Sequence, residues 1–195
     1  MDLVFRRTGQ RRYAIEALPN GMPTLHMDPA PGYDEHLPHD MLHATVEAVL
    51  NLDNAIFGQL ASGGDAGSFY LKEAGKASRD ETRLRRRIKK KGAQLSRKGE
   101  AESLQSERAS FVCWQEWLSR SKNPSLRKKS RDMAEQMHHI RRSMDDDELE
   151  KLDNKMDQIC RHLDTLSACW HKVEVGKSMG IRWPALAVRQ CGSNA

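Results

Sequence analysis

The sequence lacks the features that mark membrane and secreted proteins. Its 195 residues contain no run close to the ~18 apolar residues that a membrane-spanning helix needs. The first eight residues carry Asp2, Arg6 and Arg7, so they do not form the apolar segment of a secretory signal. We therefore expect a cytoplasmic protein without a membrane partner.

Cysteine is also scarce, and the four cysteines are far apart. No Cys-x-x-Cys pair occurs, which argues against a zinc knuckle. Three of the four lie in or beside helical apolar patterns. We expect buried free thiols, not disulfides, at Cys113, Cys160, Cys169 and Cys191.

Hydrophobic residues make up only 38% of the chain, while charged residues make up 30%. A chain of this length and composition fits one domain, or one domain with a helical arm, around a thin core. The net charge is +5, but residues 83–98 alone hold nine Lys and Arg and no acid. The rest of the chain therefore carries a net charge of −4.

Short alternating segments predict β-strands at both ends of the chain. Within residues 1–28, two turn segments separate three such stretches, which indicates an antiparallel meander. Near the other end, strands over 172–175 and 181–184 around a turn at 176–180 predict a hairpin that rejoins the N-terminal sheet.

The middle of the chain is predicted to be helical. Within residues 80–120, we expect the helix to break or weaken at Gly92 or Gly99. The more continuous of its two apolar stripes consists of Leu104, Phe111, Trp114 and Leu118. Ser143 with the acidic residues after it looks like a new helix start. Apolar residues at alternating steps of three and four then predict a heptad helix over 149–170. This seam would close within the chain, pack on a second copy or bind a partner helix.

These elements predict an α+β fold. A small antiparallel sheet from both termini would pack on a short helix, with a helical bundle or hairpin inserted between the strands. We divide the chain into an N-terminal α+β portion (1–75), a helical bundle with a basic arm (76–171) and C-terminal strands (172–195).

The short helix carries the closest cluster of potential catalytic and metal-binding residues in the sequence. It begins near Pro38 and places His39 and His43 one turn apart, beside a buried stripe of Leu42, Val46, Val49 and Leu50. Met41, Ala44 and Ala48 would face the opposite side. Asp40 and Glu47 lie next to the histidines on the same side. Ionisable groups so close to a core need partners, because burying them unpaired costs free energy.

Two histidines four residues apart on a helix can bind one metal ion, such as zinc or another divalent cation. The helix rises ~12 Å from His39 to Glu47, which is too far for both to reach one ion easily. We therefore expect the third ligand to come from the preceding loop: His36, Glu35 or Asp34. Glu47 would orient His43 or act in catalysis, and Asp40 is the second candidate for a catalytic role.

The segment His-Asp-x-x-His resembles the HExxH helix of zincin metalloproteases. The resemblance implies a zinc-dependent hydrolase with His39 and His43 as ligands and Asp40 in the place of the glutamate base. Asp40 departs from that pattern because its side chain is one methylene shorter. The longer run PHDMLHATVEAVLNLDNAIFGQLASGGDAGSF resembles a segment of uncharacterised bacterial proteins, which implies a bacterial origin and no particular reaction.

Two other interpretations of the segment stay open. It fits a buried polar network in which His43 bonds to Glu47, and it fits metal-free acid–base catalysis. A metal-dependent hydrolase is therefore one hypothesis among several.

The basic arm supports a hypothesis from a different class, a non-enzymatic binding module. Its cations run all round a predicted helix with few apolar residues to dock it, and they suit the phosphates of nucleic acid. An acidic protein partner and a merely solvated helix are the alternatives. The nucleic-acid-binding candidates are Arg83, Arg85, Arg86, Arg87, Lys89, Lys90, Lys91, Arg97 and Lys98.

Overall fold

The computed structural model of the chain describes residues 1–72 and 78–194. The strands are β1 (Asp2–Gly9), β2 (Arg12–Leu18), β3 (Leu25–Ala30), β4 (Lys177–Arg182) and β5 (Ala187–Asn194). The helices are α1 (His39–Leu50), α2 (Ile56–Ala61), α3 (Arg79–Lys98), α4 (Glu100–Arg120), α5 (Pro124–Asp132), α6 (Ala134–Arg142) and α7 (Asp146–Trp170).

The strands form one antiparallel sheet in the order β3-β2-β1-β4-β5. β1 lies at the centre, where Leu3 pairs with Ala17 of β2 and with Ile181 of β4. The amino group of Met1 donates to the carbonyl of Trp183 at 2.9 Å, which ties the two ends of the chain together. The predicted α+β fold, with a sheet built from both termini and helices inserted between, is confirmed.

The C-terminal hairpin is confirmed, but its predicted strand positions are wrong. β4 covers most of the predicted turn at 176–180, and residues 172–175 lie before it outside any strand. Backbone pairing with β1 decides these bounds, since it places Met179 and Ile181 on the buried face with no exposed surface. The chain reverses between β4 and β5, at residues 183–186.

Helix α1 is the most enclosed element of the fold. Ten of its twelve residues are buried. The indole N–H of Trp183 donates to the carbonyl of Ala44 from the sheet side, and α4 and α7 pack on the helix as well. The prediction that Met41 and Ala44 face away from the core is therefore wrong, since neither has exposed surface.

Glycines set the close packing around α3. The break between α3 and α4 falls at Gly99, as one of the two predicted positions, whereas the helix runs straight through Gly92. A Cβ on Gly92 would lie 1.9 Å from Oδ1 of Asp65, and one on Gly99 would lie 1.9 Å from the carbonyl oxygen of Asn54. Both glycines let the segment after α1 approach the long helices.

The buried face of α4 includes only Leu118 of the predicted stripe. Leu104 is 55% exposed, and the buried positions include Ala109, Ser110 and Cys113. Small residues face inward because α4 packs against α1 and α7 while α5 and α6 cover it elsewhere. An apolar-stripe argument misses such a face because small side chains add little hydrophobic signal.

Helix α7 begins two residues later than the predicted cap at Ser143 implies. Its N-cap is Asp145, which exchanges hydrogen bonds with Glu148, while Ser143 ends α6. The heptad seam is filled within the chain, since Leu152, Ile159 and Leu163 have no exposed surface. The seam is thus not available to a second copy or a partner helix.

The cysteines only partly follow the prediction. Cys113 and Cys160 are buried free thiols, but Cys169 is disulfide-bonded, so the expectation of a free thiol there is wrong. Disulfides persist in oxidising compartments, and the cytoplasmic location stays a prediction that this bond does not favour. Within residues 1–72 and 78–194, no helix is long and apolar enough to cross a membrane.

The contact at Gly92 yields a stability prediction. Gly-to-Ala inside a helix normally stabilises, but Gly92→Ala should lower the free energy of unfolding by about 1–3 kcal/mol because its Cβ has no room beside Asp65. Urea denaturation measures the change. The control is Ala93→Gly at the exposed next position, which should cost about 1 kcal/mol through helix propensity alone. A stabilised Gly92→Ala protein would contradict the packing described.

Candidate metal centre

Three potential metal ligands meet where α1 faces α4. The Nε2 atoms of His39 and His43 lie 3.2 Å apart, and Oε2 of Glu107 lies 3.6 Å from Nε2 of His43. All three ligand atoms lie within 4.8 Å of one another. Donors about 2.0–2.1 Å from a tetrahedral zinc ion are about 3.3 Å apart. The observed separations therefore suit a single ion with little movement.

The three ligands differ in exposure. His43 is 2% exposed, whereas His39 and Glu107 are exposed. His43 thus forms the inner edge of the cluster, and the other two form its outer edge. An ion bound here would be held by the core on one side and accessible on the other.

A chain of hydrogen bonds orients His43 from inside the core. Its Nδ1 lies 3.0 Å from Oγ of Ser106, which donates to Oε1 of Glu47 at 3.1 Å. The other oxygen of Glu47 accepts the backbone N–H of Phe57 at 2.8 Å. We assign the Nδ1 proton of His43 to the bond with Ser106, which leaves Nε2 with a free lone pair toward the cluster. Metal-binding histidines commonly have such support.

Burial sets the protonation of this chain. It lowers the pKa of His43 to about 3, with a smaller contribution from His39, so the imidazole is neutral at neutral pH. It raises the pKa of Glu47 to about 8, although the hydrogen bonds from Phe57 and Ser106 act in the opposite direction. Glu47 is therefore mostly protonated below that pH in the metal-free protein.

Asp40 points into a different part of the core. Its carboxylate accepts a hydrogen bond from the hydroxyl of Tyr13, whose oxygen also lies 2.5 Å from the carbonyl oxygen of Pro31. Burial raises the pKa of Asp40, and the bond from Tyr13 partly offsets this effect. Asp40 thus ties α1 and the preceding loop to the sheet.

Neither Asp40 nor Glu47, the predicted catalytic carboxylates, lines the cavity beside the histidines. Both carboxylates are buried among protein partners. The arrangement therefore gives each a positioning role and no contact with a molecule in the cavity.

The loop before α1 does not supply the third ligand of the cluster. His36 lies with its Nδ1 3.1 Å from Nε2 of His171. Oδ1 of Asp34 accepts the backbone N–H of His36 at 2.8 Å, and its other oxygen lies 3.4 Å from Nζ of Lys129. Glu107 of α4 takes the place that the sequence assigned to the loop.

A cavity of about 270 Å³ opens beside the cluster. Its walls come from the loop 32–37, from α1, from α4 and from Lys129 of α5. The helical side chains that line it are His39, Leu42, His43, Glu107, Ser110, Phe111 and Trp114. The three potential ligands thus lie at one end of a mostly apolar cavity.

The basic arm forms most of α3, away from this cluster in sequence. Its buried side is Ile88 and Gly92, and at ~100° per residue Arg83, Arg86, Arg87, Lys90 and Arg97 fall on the opposite side. Eight of the nine predicted cations are exposed; Arg85 is half-buried and donates to the carbonyls of Leu71 and Lys72. The helix docks by one face and presents the other.

No protein-family model, curated protein or solved structure matches this chain. The resemblance to zincin helices and to uncharacterised bacterial proteins therefore stays a prediction from the sequence.

Sequence reasoning missed the contribution of α4 to the site. Ser106, Glu107 and Ser110 lie more than sixty residues after His43 in the chain. The available signal was the polar run Ser106-Glu107-Arg108, which interrupts the apolar pattern of a helix otherwise rich in buried positions. Such a run has many ordinary explanations and does not indicate a ligand by itself.

The raised pKa of Glu47 predicts a pH effect on stability. Between pH 4.5 and about 8, folded Glu47 keeps a proton that the unfolded chain has released. The free energy of unfolding should therefore fall as pH rises through this range. Glu47→Gln removes this dependence, so the wild type should lose more than ~1 kcal/mol relative to the variant between pH 5 and pH 8.5.

Urea denaturation in the presence of a chelator measures this difference. Glu150→Gln, at an exposed position of α7, is the matched control and should follow the wild type. Parallel curves for wild type and Glu47→Gln would show that Glu47 is not protonated in the fold.

Proposed function

We propose that the protein binds a divalent metal ion, zinc by its ligand set, through His39, His43 and Glu107. The observation that carries the proposal is the convergence of the three donor atoms within 4.8 Å. Two imidazoles and a carboxylate are a known ligand set of catalytic zinc sites. The bond from Ser106 to the inner imidazole supports the proposal, because it orients the lone pair of His43 toward the ion.

The site suits hydrolysis better than a purely structural role. Three protein ligands leave a fourth position, and the cavity lies beside it. Zinc in such a site lowers the pKa of bound water and polarises carbonyl groups. We therefore propose a metal-dependent hydrolase.

The cavity sets the size of the substrate. Its volume of about 270 Å³ lies below the ~300–1,000 Å³ of typical drug-sized ligand sites. This favours a small molecule over a polypeptide as substrate. The site also differs from a zincin site because Asp40, in the place of the glutamate base, bonds to Tyr13.

Metal titration tests the proposal. Metal-free protein should take up one zinc ion per chain in calorimetry, and His39→Ala and Glu107→Gln should abolish or strongly weaken uptake. Both positions are exposed, so these variants should stay folded. Ser106→Ala keeps all three ligands but removes the support of His43 and the bond to Glu47, so it should weaken zinc binding about 10–100-fold and also lower stability.

The matched controls are His138→Ala and Glu100→Gln, which change exposed residues of α6 and α4 outside the cluster. They should bind zinc as the wild type does. Absence of uptake by the wild type, or equal uptake by Glu107→Gln, would leave the cluster as a hydrogen-bonded network in which one histidine donates to the other.

We also propose a second function, nucleic-acid binding by α3. Among the residues that the structure describes, Arg83 forms a 3.9 Å salt bridge with Asp80, and the other exposed cations of the arm form none. Those cations are Arg86, Arg87, Lys89, Lys90, Lys91, Arg97 and Lys98. Like charges crowded on a helix repel one another, and a polyanion relieves this repulsion. The helix has 20 residues, or about 30 Å, which is long enough to meet several phosphates.

Salt-dependent binding to a 20-base-pair DNA duplex tests this function. The triple variant Arg86→Gln, Arg87→Gln and Lys90→Gln should bind DNA more weakly, because it loses up to three contacts with phosphates. For the same reason its slope of log K against log salt should be shallower by about 1–3. The control carries Lys151→Gln, Lys155→Gln and Arg161→Gln on exposed positions of α7, with the same loss of charge. Equal weakening by both triples, or binding that ignores salt, would exclude α3 as the DNA surface.

A further inference from the structure

One face of α4 lines the cavity with a carboxylate, a hydroxyl and two aromatic rings, in that order along the helix. Glu107, Ser110, Phe111 and Trp114 follow one another at steps of three, one and three residues, so they share that face. From Glu107 to Trp114 the helix rises about 10 Å. A molecule in the cavity would therefore meet the metal ligands, then a hydroxyl, then an aromatic surface.

Ser110 is the unusual member of this series. Its side chain is 1% exposed, and within the described part of the chain its Oγ has no hydrogen-bond partner. A buried hydroxyl without a partner costs free energy, and native proteins rarely keep one without a use. Ser110 lines the cavity, so a rotation about its Cα–Cβ bond would bring the covered hydroxyl to a polar atom of a bound molecule.

The far end of the cavity is apolar and aromatic. Phe111 and Trp114 are half-buried there, up to about 10 Å along α4 from Glu107, and the other apolar lining residues, Leu37 and Leu42, have little exposed surface. Nζ of Lys129 lies 5.3 Å from the centre of the Trp114 ring and pairs with Asp34, so the cation is already engaged. This end suits a ring or a branched hydrocarbon.

The charges around the cavity select the charge of the ligand. Lys129 and Asp34 offset each other, and a divalent ion facing Glu107 keeps one positive charge in excess. The histidines bind a metal as neutral imidazoles and add no charge. A ligand with one negative charge neutralises the site, whereas a cation adds to the excess charge.

We infer that the cavity binds a small aromatic monocarboxylate whose carboxylate takes the open metal position and whose ring packs on Phe111 and Trp114. One carboxylate oxygen binds the ion, and the other accepts a hydrogen bond from Oγ of Ser110. This inference rests on the proposed metal site. In the context of hydrolysis, such an acid is the product released from an ester or amide, so the substrates would be small aryl-substituted esters or amides.

Calorimetry in two stages tests the inference. Zinc is first titrated into metal-free protein, and failure at this stage overturns the metal site itself. Phenylacetate, acetate and benzylamine are then titrated into zinc-loaded protein. We expect phenylacetate to bind at least about tenfold more tightly than acetate, since its ring buries apolar surface, and benzylamine not to bind detectably.

Two variants locate the bound acid. Ser110→Ala should weaken phenylacetate binding about tenfold, as expected for loss of a bond to a charged group, while zinc affinity stays unchanged and Tm does not fall, because the hydroxyl has no partner among the described residues of the free protein. Trp114→Leu should reduce the preference for phenylacetate over acetate and spare acetate. Ser103→Ala, on α4 but outside the cavity, is the matched control and should bind as the wild type does.

Several outcomes would overturn the inference while the metal site stands. Zinc-loaded protein that binds phenylacetate and acetate equally has no aromatic selectivity. Equal phenylacetate binding with and without zinc would place the carboxylate on Lys129 and not on the ion. Unchanged affinity of Ser110→Ala for phenylacetate would show that the Ser110 hydroxyl does not bind the carboxylate.

Discussion

The burial of α1 is the constraint on which the rest of the structure depends. Ten of its twelve residues are inside, so its buried polar side chains cannot reach bulk water and must find partners in the protein. Asp40 has a hydrogen bond with Tyr13 of the sheet, His43 with Ser106 of α4, and Glu47 with the backbone of α2. Each of these bonds also joins α1 to a different element. The helix therefore acts as the common attachment point of sheet and bundle.

The candidate metal centre is an outward extension of this arrangement. Consecutive residues of α4 reach His43 from two sides: Ser106 bonds to Nδ1, and Glu107 approaches Nε2. The inner contact satisfies the fold with or without a metal ion. The outer contact, with His39, leaves donor atoms facing a cavity. Loss of the inner contact should thus affect stability and metal affinity together, whereas loss of the outer ligands should affect metal affinity alone.

The basic helix is a separate feature with its own structural cause. Gly92 lets Asp65 lie directly against α3, and this close contact adds to the sparse apolar docking that Ile88 provides. One face is enough for docking. Within residues 1–72 and 78–194, the cations on the other face form no salt bridge apart from the 3.9 Å contact of Arg83 with Asp80. A surface helix held in this way can present charge without disturbing the core. Its proposed function is therefore independent of the metal centre.

The sequence by itself determined those elements of the structure that depend on residues close to one another in the chain. Local periodicity and turn residues predict the N-terminal meander, a helix break at Gly92 or Gly99, the heptad helix and the pairing of His39 with His43. Only the tertiary structure decided which α4 residue joins the histidines, which face of α4 is buried, and where β4 begins. Those answers depend on contacts between segments far apart in the chain, and Glu107 carries no local mark of its position beside His43. Local pattern specified the elements, and burial between them selected the site.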